Sequence, residues 1–368
     1  MKILQVPSTF LPRKGGVPYY VYYLSKEMMK QGHDVSVLTS TLGSKKSFEV
    51  MDGIPIKRVK SLSILGMPFS LGIFFEILKS DADIVQLHYP HPIFLDIGAL
   101  ACIIARKTYV VYSHGKEIRM NWFFGLPSSL YNKFCYTFIL KHAAGIIVNS
   151  RKAIKSSKFL SRYKKKINVI YHGVDTKKFV AKKRNLHSPL QVLFVGALRR
   201  YKGLDYLVDA AKLLENEKVS FTIVGNGPQE AMIKKKVLEL GLERKIIFRN
   251  FLPEKELLKM YEECDVFVLP SPSIEESFGM VALEAGAMGK PVIVTYGAGV
   301  SELFLKEKLG VVIEPYSGKA LGRAIMKFIN NKRDITQVGY KLKGVIALKY
   351  SWKHVGLATI NFYKGILK

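Results

Sequence analysis

Segments with the apolar pattern of buried strands alternate with helix-length segments along most of this 368-residue chain. In the first half, Lys2–Val6 and Tyr109–His114 are strand candidates, and a helix candidate runs from about Pro18 to Gln31. The alternation resumes at Gln191–Gly196 and continues to Val292–Thr295. Because strands separated by helices pair in parallel and need helices on both faces of the sheet, the pattern predicts an α/β protein.

A polar, charged stretch at Thr176–Pro189 separates the two alternating halves. The length of the chain also exceeds what a single hydrophobic core commonly organises. We therefore expect two Rossmann-like domains with parallel sheets, an N-terminal one at residues 1–180 and a C-terminal one at residues 189–350. The final segment, Ser351–Lys368, is amphipathic and has apolar side chains available for packing.

The chain is strongly basic, with 57 Lys and Arg against 29 Asp and Glu and a formal net charge of +28. The excess is uneven, since Lys141–Arg184 holds fourteen Lys and Arg and a single acid, Asp175. The preceding segment, Met120–Ala143, is rich in aromatic residues. Aromatic residues beside a basic stretch are typical of a contact with an anionic membrane surface, although a core helix beside a solvated lysine face would give the same pattern.

No segment has the 18 or more uncharged apolar residues of a membrane span, and the N-terminal residues indicate a first strand rather than a secretory signal. Three scattered cysteines, Cys102, Cys135 and Cys264, favour buried thiols in a reducing compartment over disulfides or zinc. We therefore expect a cytoplasmic protein, with peripheral attachment to the inner face of the cell membrane as an option.

The most specific local pattern is Ser271–Thr295, SPSIEESFGMVALEAGAMGKPVIVT. It predicts a loop, a helix over Met280–Met288 and a strand over Val292–Thr295, with Ser277 placed to cap the helix. Glu276 lies in the loop and Glu284 one to two turns into the helix. Carboxylates accept paired hydrogen bonds from vicinal hydroxyls, and helix N-termini favour phosphates, so the pattern suits a sugar nucleotide.

This string resembles the signature E-[SA]-F-G-x-x-x-x-E-A-x-A-x-G-x-P-V of the retaining glycosyltransferases of family four. The resemblance implies the GT-B fold, in which two Rossmann-like domains face each other across a cleft. It also implies that Glu276 contacts the donor sugar and Glu284 the nucleotide ribose. In the enzymes that the chain resembles, the last helix crosses back to the N-terminal domain, so we expect residues 351–368 to pack there.

Residues Gly196–Leu207 resemble the diphosphate-binding segment G-R-L-x-x-x-K-G of that family, which makes Lys202 a diphosphate ligand. The usual arginine after the first glycine is Ala197 here. Arg199 or Arg200 could supply the guanidinium, and the direction of the side chains favours Arg199. A lysine and an arginine on two phosphates would neutralise the leaving group without a metal ion. We therefore expect neither a metal nor a cofactor.

Four more donor contacts are expected around the turns of the second domain. Gly225 lies in a segment that resembles the family's V-G-x-G-P turn, and Phe278, Gly279 and Met280 surround the helix start after Glu276. In the first domain, Gly15 and Gly16 resemble the family's glycine-rich loop, which implies that Gly16 borders the donor phosphate and Gly15 the acceptor. The first strand runs into Val6–Pro7 without a G-x-G-x-x-G, which argues against a dinucleotide-binding dehydrogenase.

Two histidines are candidates in the first domain. His114 ends the strand Tyr109–His114 and matches the cleft histidine of the family, which implies a hydrogen bond to the donor sugar near the reacting carbon. It is not needed as a base, because the resemblance implies that the departing phosphate oxygen takes the acceptor proton. His88, in LHYPHP, is a candidate acceptor contact.

These observations predict a retaining, metal-independent hexosyltransferase that uses a UDP- or GDP-linked sugar and a lipid-linked or cell-surface glycan acceptor. Neither the nucleotide base nor the sugar follows from the sequence. Two alternatives remain: a sugar-nucleotide epimerase or glycan phosphorylase on the same fold, or a basic protein with a decayed site that binds anionic lipid or nucleic acid. No RNA- or DNA-binding motif is present in the sequence.

Overall fold

The computed structural model of the protein describes residues 1–13, 15–64, 67–89, 91–114, 128–180 and 186–368. Within these residues the chain divides into two compact units, Met1–His172 with Trp352–Lys368, and Gly173–Ser351. Residues 173–180, which the sequence analysis assigned to the first domain, therefore belong to the second unit. Part of the expected linker, residues 181–185, lies outside the described residues.

Alternating strands and helices make up the first unit. Its strands are β1 (Lys2–Val6), β2 (Asp34–Ser40), β3 (Phe48–Met51), β4 (Ile54–Val59), β5 (Leu62–Ile64), β6 (Met67–Phe69), β7 (Ile84–Tyr89), β8 (Tyr109–Ser113), β9 (Gly145–Val148) and β10 (Ile167–Val169). Its helices are α1 (Gly16–Lys30), α2 (Gly72–Lys79), α3 (Phe94–Ile104), α4 (Ser128–Tyr131), α5 (Thr137–His142) and α6 (Arg151–Ser156). A π-helical stretch, Asn132–Tyr136, joins α4 to α5, and a 3₁₀ segment spans Leu160–Lys166.

Eight described strands form one sheet in the order β10-β9-β8-β7-β1-β2-β4-β3, while β5 and β6 form a separate antiparallel pair. Within the large sheet β3 runs antiparallel to β4, and the other described neighbours are parallel. Alternate residues face two apolar cores: Ile3 and Val110 pack in one, Leu4 and Val111 in the other. A parallel sheet covered on both faces buries nearly every residue, which explains the uninterrupted burial of β7, β8 and β9.

The second unit is also a layered α/β structure. Its strands are β11 (Leu190–Val195), β12 (Val219–Val224), β13 (Ile246–Arg249), β14 (Val266–Leu269), β15 (Val292–Thr295) and β16 (Val311–Ile313). Its helices are α7 (Leu204–Leu213), α8 (Glu230–Glu239), α9 (Glu254–Glu263), α10 (Met280–Ala287), α11 (Ser301–Lys306), α12 (Gly318–Asn330) and α13 (Lys332–Lys349). The described strands form one parallel sheet in the order β13-β12-β11-β14-β15-β16.

A last helix, α14 (Trp352–Leu367), belongs to the first unit and packs against α1. Its Trp352, Val355 and Tyr363 join the apolar core that also contains Tyr20 of α1. Together with the buried Thr359, these positions recur at three- and four-residue spacing, so one stripe of the helix is buried while the opposite face is exposed.

The helical segment from α4 to α5 is interrupted, because its backbone widens into the π-helical stretch between them. Of the aromatic segment Met120–Ala143, residues 120–127 lie outside the described part of the chain. Cys102 and Cys264 are buried as expected, whereas Cys135 is exposed. No helix among the described residues is long and apolar enough to cross a membrane.

Candidate functional site

The strand order of the second unit defines where its loops can form a binding site. β11 is the first strand of the sheet, and its neighbours are β12 on one side and β14 on the other. The chain adds β12 and β13 on one side of β11 and then returns to add β14 on the other side. The direction in which the sheet grows therefore switches between the neighbouring strands β11 and β14. In an open parallel sheet such a switch point leaves a crevice at the carboxyl ends of the strands, where ligands bind. The loops that follow β11 and β14 carry Lys202 and Glu276.

Lys202 and Glu276 come from these two loops and are in direct contact. The Nζ of Lys202 donates a hydrogen bond to Oε2 of Glu276, and each side chain is only 10% exposed. The hydroxyl of Ser271 donates to the same Oε2 at 3.1 Å. Because charge-assisted hydrogen bonds gain strength when water is largely excluded, the pair holds both side chains at the crevice in a defined position.

The loop that carries Glu276 is fixed through its backbone. The amide of Gly299 donates to the carbonyl of Glu276 at 3.1 Å, and that of Val300 donates to the carbonyl of Phe278 at 2.7 Å. Gly279 then begins α10 with a φ of 97°, a conformation that glycine adopts without strain. The expectation that Ser277 caps this helix was wrong, since Gly279 occupies the cap position without a side-chain hydrogen bond.

The positions around the start of α10 differ in what they can offer a ligand. The side chain of Phe278 is buried, so a contact from this residue would involve its backbone. Met280 is half-buried and is the first residue of α10. The first N–H groups of a helix have no partner within the helix and carry partial positive charge, which suits a phosphate.

Glu284 is held by a residue that sequence reasoning missed. The phenol of Tyr261, on α9, donates to Oε2 of Glu284 at 2.7 Å. Burial raises the pKa of Glu284 above its ordinary value, while the hydrogen bond from Tyr261 and the charge of Lys178 act in the opposite direction. Tyr261 is buried on α9, and its partner is 23 residues away in the chain, so no local pattern indicates the contact.

Arg199 and Arg200 lie in the same loop as Lys202, and both side chains are exposed. Arg199 has extended backbone and precedes a 3₁₀ turn, Arg200–Lys202, with its carbonyl accepting the amide of Lys202 at 2.9 Å. Ala197 is exposed nearby. Either guanidinium can therefore reach solvent at this edge of the sheet, and the choice between them stays a prediction.

Gly225 has a packing role that is independent of any ligand. Its φ is 138°, and a Cβ there would lie 2.0 Å from the carbonyl oxygen of Gly196. The turns after β11 and β12 thus touch backbone to backbone, which only glycine permits. A role for Gly225 in donor binding stays a prediction, because this contact already accounts for the residue type.

At the carboxyl edge of the first sheet, β7 ends near His88 and β8 is followed by His114. The Nδ1 of His88 lies 3.0 Å from Nε2 of His114, and Nε2 of His88 lies 2.7 Å from Oε1 of Gln5. The structure therefore corrects the assignment of His88 as an acceptor contact. His88 is 0% exposed, and both of its ring nitrogens are already engaged with protein groups.

The imidazoles of this region are poor proton acceptors. Burial lowers the pKa of His88 and of His172 to about 3. Burial, together with the neighbouring rings of His88 and His172, also holds the pKa of His114 well below its ordinary value. His114 is half-buried and packs edge-on against Tyr20. A neutral, sheltered imidazole at this edge suits hydrogen bonding better than proton abstraction.

Gly15 and Gly16 open α1 at the same edge of the sheet. Gly15 has a φ of 167°, which is extended backbone, and Gly16 is the first residue of the helix. Among the described atoms, a Cβ at Gly16 would meet nothing within 4 Å. Neither backbone strain nor packing thus explains why these two residues are glycines. Space kept for a ligand is compatible with their occurrence here.

Two glycosyltransferase family models together match most of the chain. Residues 14–178 match the model described as Glycosyltransferase Family 4, and residues 175–343 match the model described as Glycosyl transferases group 1. The chain is 28% identical to the O-antigen chain mannosyltransferase C of Escherichia coli, covering 100% of this chain and 99% of that protein. It is 27% identical to the D-rhamnosyltransferase WbpZ of Pseudomonas aeruginosa, over 92% and 89% of the two chains.

Two solved structures show the same fold. Sucrose-phosphate synthase from Thermosynechococcus elongatus has a TM-score of 0.78 at 20% identity, over 99% of this chain and 98% of that one. Anabaena Alr3699/HepE in complex with UDP and glucose has a TM-score of 0.78 at 19% identity, over 98% of each chain. Such likenesses confirm the prediction of an α/β protein with the GT-B fold.

Proposed function

Since the chain belongs to the glycosyltransferases of family four, we propose that it is a retaining hexosyltransferase that uses a UDP- or GDP-linked sugar. The observation that carries this proposal is the contact between Lys202 and Glu276 at the switch point of the second sheet. A cation and an acid at one crevice match the two ends of such a donor, a diphosphate and a sugar. The complexes of Alr3699/HepE with UDP, and with UDP-glucose, support a donor of this class.

In the proposed complex, Lys202 and Arg199 bind the diphosphate and neutralise the charge that develops on it as the glycosidic bond breaks. Glu276 accepts hydrogen bonds from the hydroxyls of the transferred sugar, and Glu284 accepts those of the ribose. Gly225 and Gly16 border the phosphates, together with the backbone of Phe278, Gly279 and Met280 at the start of α10. No metal or other cofactor is part of this proposal.

The anomeric configuration is retained if the acceptor approaches the same face of the sugar from which the leaving group departs. The leaving phosphate oxygen can then take the proton of the acceptor hydroxyl, so no side chain has to act as the base. His114, whose pKa burial holds well below its ordinary value, remains neutral and hydrogen-bonds the sugar near the reacting carbon. Gly15 borders the acceptor in this arrangement.

A lipid-linked or cell-surface glycan is the acceptor that we propose. The relatives named as an O-antigen chain mannosyltransferase and as a rhamnosyltransferase support a glycan acceptor. Attachment of a cytoplasmic enzyme to the inner face of the membrane would bring it to such an acceptor. The net charge of +28 and two exposed aromatic side chains, Phe134 and Phe138, support contact with an anionic surface.

Two measurements test the function. In a thermal-shift screen with UDP, GDP, UDP-glucose and GDP-mannose, the nucleotide and the sugar nucleotide of one base should raise the melting temperature of the wild type. A ligand that binds only the folded state stabilises that state. The protein is then incubated with the stabilising donor, octyl glycosides as acceptors, and EDTA to remove metal ions. The reaction should release nucleotide diphosphate and give a product with the anomeric configuration of the donor.

Several results would contradict the proposal. A product of inverted anomeric configuration would contradict the retaining mechanism. Loss of activity in EDTA would contradict metal independence. Conversion of the sugar nucleotide without an acceptor would favour an epimerase, and release of a sugar phosphate from a glycan would favour a phosphorylase. Salt-sensitive binding of RNA or anionic vesicles, without stabilisation by any nucleotide, would favour a binding protein.

A further inference from the structure

A continuous chain of hydrogen bonds links helix α14 to His114 through the interior of the first unit. The phenol of Tyr363 donates to Oε1 of Gln86, which also accepts from Nε2 of Gln5 at 3.3 Å. Oε1 of Gln5 lies 2.7 Å from Nε2 of His88, and Nδ1 of His88 lies 3.0 Å from Nε2 of His114. Tyr363, Gln86, Gln5 and His88 are each 0% exposed. None of them was singled out for this role by the sequence.

The orientation of the Gln5 amide sets the direction of the chain. Its Nε2 faces two acceptors, Oε1 of Gln86 and, at 3.8 Å, the thioether sulfur of Met28. A thioether can only accept a hydrogen bond, so the amino group of Gln5 faces it and the carbonyl oxygen faces His88. At the far end, Oε1 of Gln86 accepts from both the hydroxyl of Tyr363 and the amino group of Gln5, so Tyr363 helps to hold Gln86 with its oxygen facing Gln5.

The direction of the chain then assigns the protons of both histidines. A carbonyl oxygen only accepts, so His88 must carry its proton on Nε2, the atom next to Gln5. A neutral imidazole has one N–H, so Nδ1 of His88 is an acceptor, and the hydrogen bond between the rings must be donated by Nε2 of His114. The lowered pKa of both imidazoles agrees with neutral rings.

We propose that Tyr363, Gln86, Gln5 and His88 are positioning residues that hold His114 as its neutral Nε2–H tautomer. In this tautomer Nδ1 of His114 can only accept a hydrogen bond, so the ring accepts from a hydroxyl and does not donate to a sugar oxygen. The role of the ring toward a sugar rests on the proposed function, whereas the tautomer itself does not. Helix α14 thus contributes to the chemistry of the site through Tyr363, without touching a substrate.

Nitrogen NMR of histidine labelled with ¹⁵N measures the tautomer directly, because protonated and lone-pair nitrogens of a neutral ring resonate far apart. We expect His114, assigned by the loss of its signals in His114→Ala, to be the Nε2–H form in the wild type. Gln5→Met removes the acceptor for His88 and should convert His114 to a mixture of tautomers. Tyr363→Phe should shift the same signals in the same direction. An Nδ1–H form in the wild type would overturn the proposal.

Tyr109→Phe is the matched control, because it removes another buried phenol of the first unit, one that donates to the carbonyl of Ile139 at 2.7 Å. It should leave the signals of His114 unchanged. Identical tautomers in the wild type and in both folded variants, Gln5→Met and Tyr363→Phe, would also overturn the proposal. Should one variant fail to fold, the other decides the matter, since the two residues lie on different elements.

Kinetics separate this inference from the proposed function. If His114 accepts from the donor sugar, Gln5→Met should lower kcat about tenfold, the typical loss for one hydrogen bond, with KM for the donor changed less than twofold. A tautomer change in Gln5→Met without any change of kcat would support the hydrogen-bond chain and contradict the role of His114 in transfer. A fall of kcat in Gln5→Met with the tautomer unchanged would contradict the chain.

Discussion

Lys202 and Glu276 are paired with each other, and under the proposed function a donor would alter that pairing. Their hydrogen bond joins two side chains that are each 10% exposed, so neither charge is well hydrated. A diphosphate would compete with Glu276 for the ammonium group of Lys202. Glu276 would then be released toward the sugar while Ser271 still donates to its Oε2. Under the proposed function, the pair would therefore keep both groups in place until a donor binds.

This competition predicts opposite effects of two substitutions on nucleotide affinity. Lys202→Met should weaken binding of UDP or GDP by about 10- to 100-fold, because a hydrogen bond to a charged group contributes about 1.5–3 kcal/mol. Glu276→Gln should leave nucleotide affinity equal or higher, because Lys202 loses a competing charge, yet lower turnover by about 100-fold or more. Calorimetry and initial rates measure the two quantities.

Glu307→Gln is the control, since it disrupts another lysine–glutamate pair of the second unit, with Lys349 at 2.7 Å. It should change neither nucleotide affinity nor turnover. If Glu276→Gln turned over at the wild-type rate, the proposed role of Glu276 in the transfer reaction would be contradicted.

Tyr261 orients Glu284, so its substitution should affect the ribose contact alone. Tyr261→Phe removes the 2.7 Å hydrogen bond to Oε2 and should weaken binding of UDP or GDP about five- to tenfold. Affinity for the 2′,3′-dideoxy nucleotide should hardly change, because that ligand offers Glu284 no hydroxyl. Tyr350→Phe, which removes a similar bond of 3.0 Å to Glu307, should have no effect. Equal losses for both nucleotides would contradict a specific role of Tyr261.

The same residue predicts the direction of a pH dependence. Burial raises the pKa of Glu284, so its carboxylate takes up a proton at a higher pH than an ordinary glutamate would. A protonated carboxyl loses acceptor capacity, and nucleotide affinity should fall as the pH is lowered. Tyr261→Phe removes a group that lowers this pKa, so the fall should begin at a higher pH. A titration of nucleotide affinity between pH 4 and 8 should show this difference, and coincident profiles would contradict it.

At the scale of the elements, α10 is held against the rest of the second unit by small residues. Ala282, Ala285, Gly286 and Ala287 are all buried. A Cβ at Gly286 would lie 2.4 Å from Cδ1 of Ile346 on α13. The position of α10, and with it that of Glu284, thus depends on how closely these two helices approach.

Gly286→Ala should therefore lower the free energy of unfolding by about 1–3 kcal/mol, because an added methyl group overpacks the contact between α10 and α13. Gly344→Ala on α13 is the matched control, since a Cβ there meets nothing within 4 Å. It should raise stability by about 0.5–1 kcal/mol, the usual gain for alanine in an exposed helix. Denaturant unfolding measures both, and equal effects of the two substitutions would contradict the packing argument.

At the scale of the whole molecule, the protein carries a net charge of +28, an excess that the proposed nucleotide site does not require. Exposed Phe134 and Phe138 lie on the π-helical stretch and on α5, at 62% and 47% exposure, beside exposed Lys133 and Lys141. Aromatic side chains that insert at the lipid interface and lysines that meet anionic headgroups act together in peripheral attachment.

We therefore predict that the double variant Phe134→Ser, Phe138→Ser binds vesicles of anionic phospholipid at least about tenfold more weakly than the wild type. Phe75→Ser, at another exposed phenylalanine of the same unit, should bind as the wild type does. Salt should weaken the attachment by screening. Co-sedimentation with vesicles measures it, and equal binding to neutral vesicles, or by all the variants, would contradict the prediction.

Much of this architecture was predictable because it depends on local patterns. β1 and β15 have the bounds that the apolar runs predicted, and Met280 begins α10 as expected. The exposed residues of β3 and the short β5 and β6 were not predicted, since their apolar pattern is weak. A polar residue in the middle of an apolar strand, such as Gln5 or Gln86, was a signal that could have been used.

The sequence by itself determined the family, the two mainly parallel sheets and the identity of the acid and lysine candidates, because periodicity and motif spacing are properties of neighbouring residues. Only the tertiary structure decided which partners meet. Lys202 reaches Glu276 across 74 positions, and Tyr363 reaches Gln86 across 277. Strand order and helix packing set such distances, and the same packing buried His88, which changed it from an expected acceptor contact into a partner of His114.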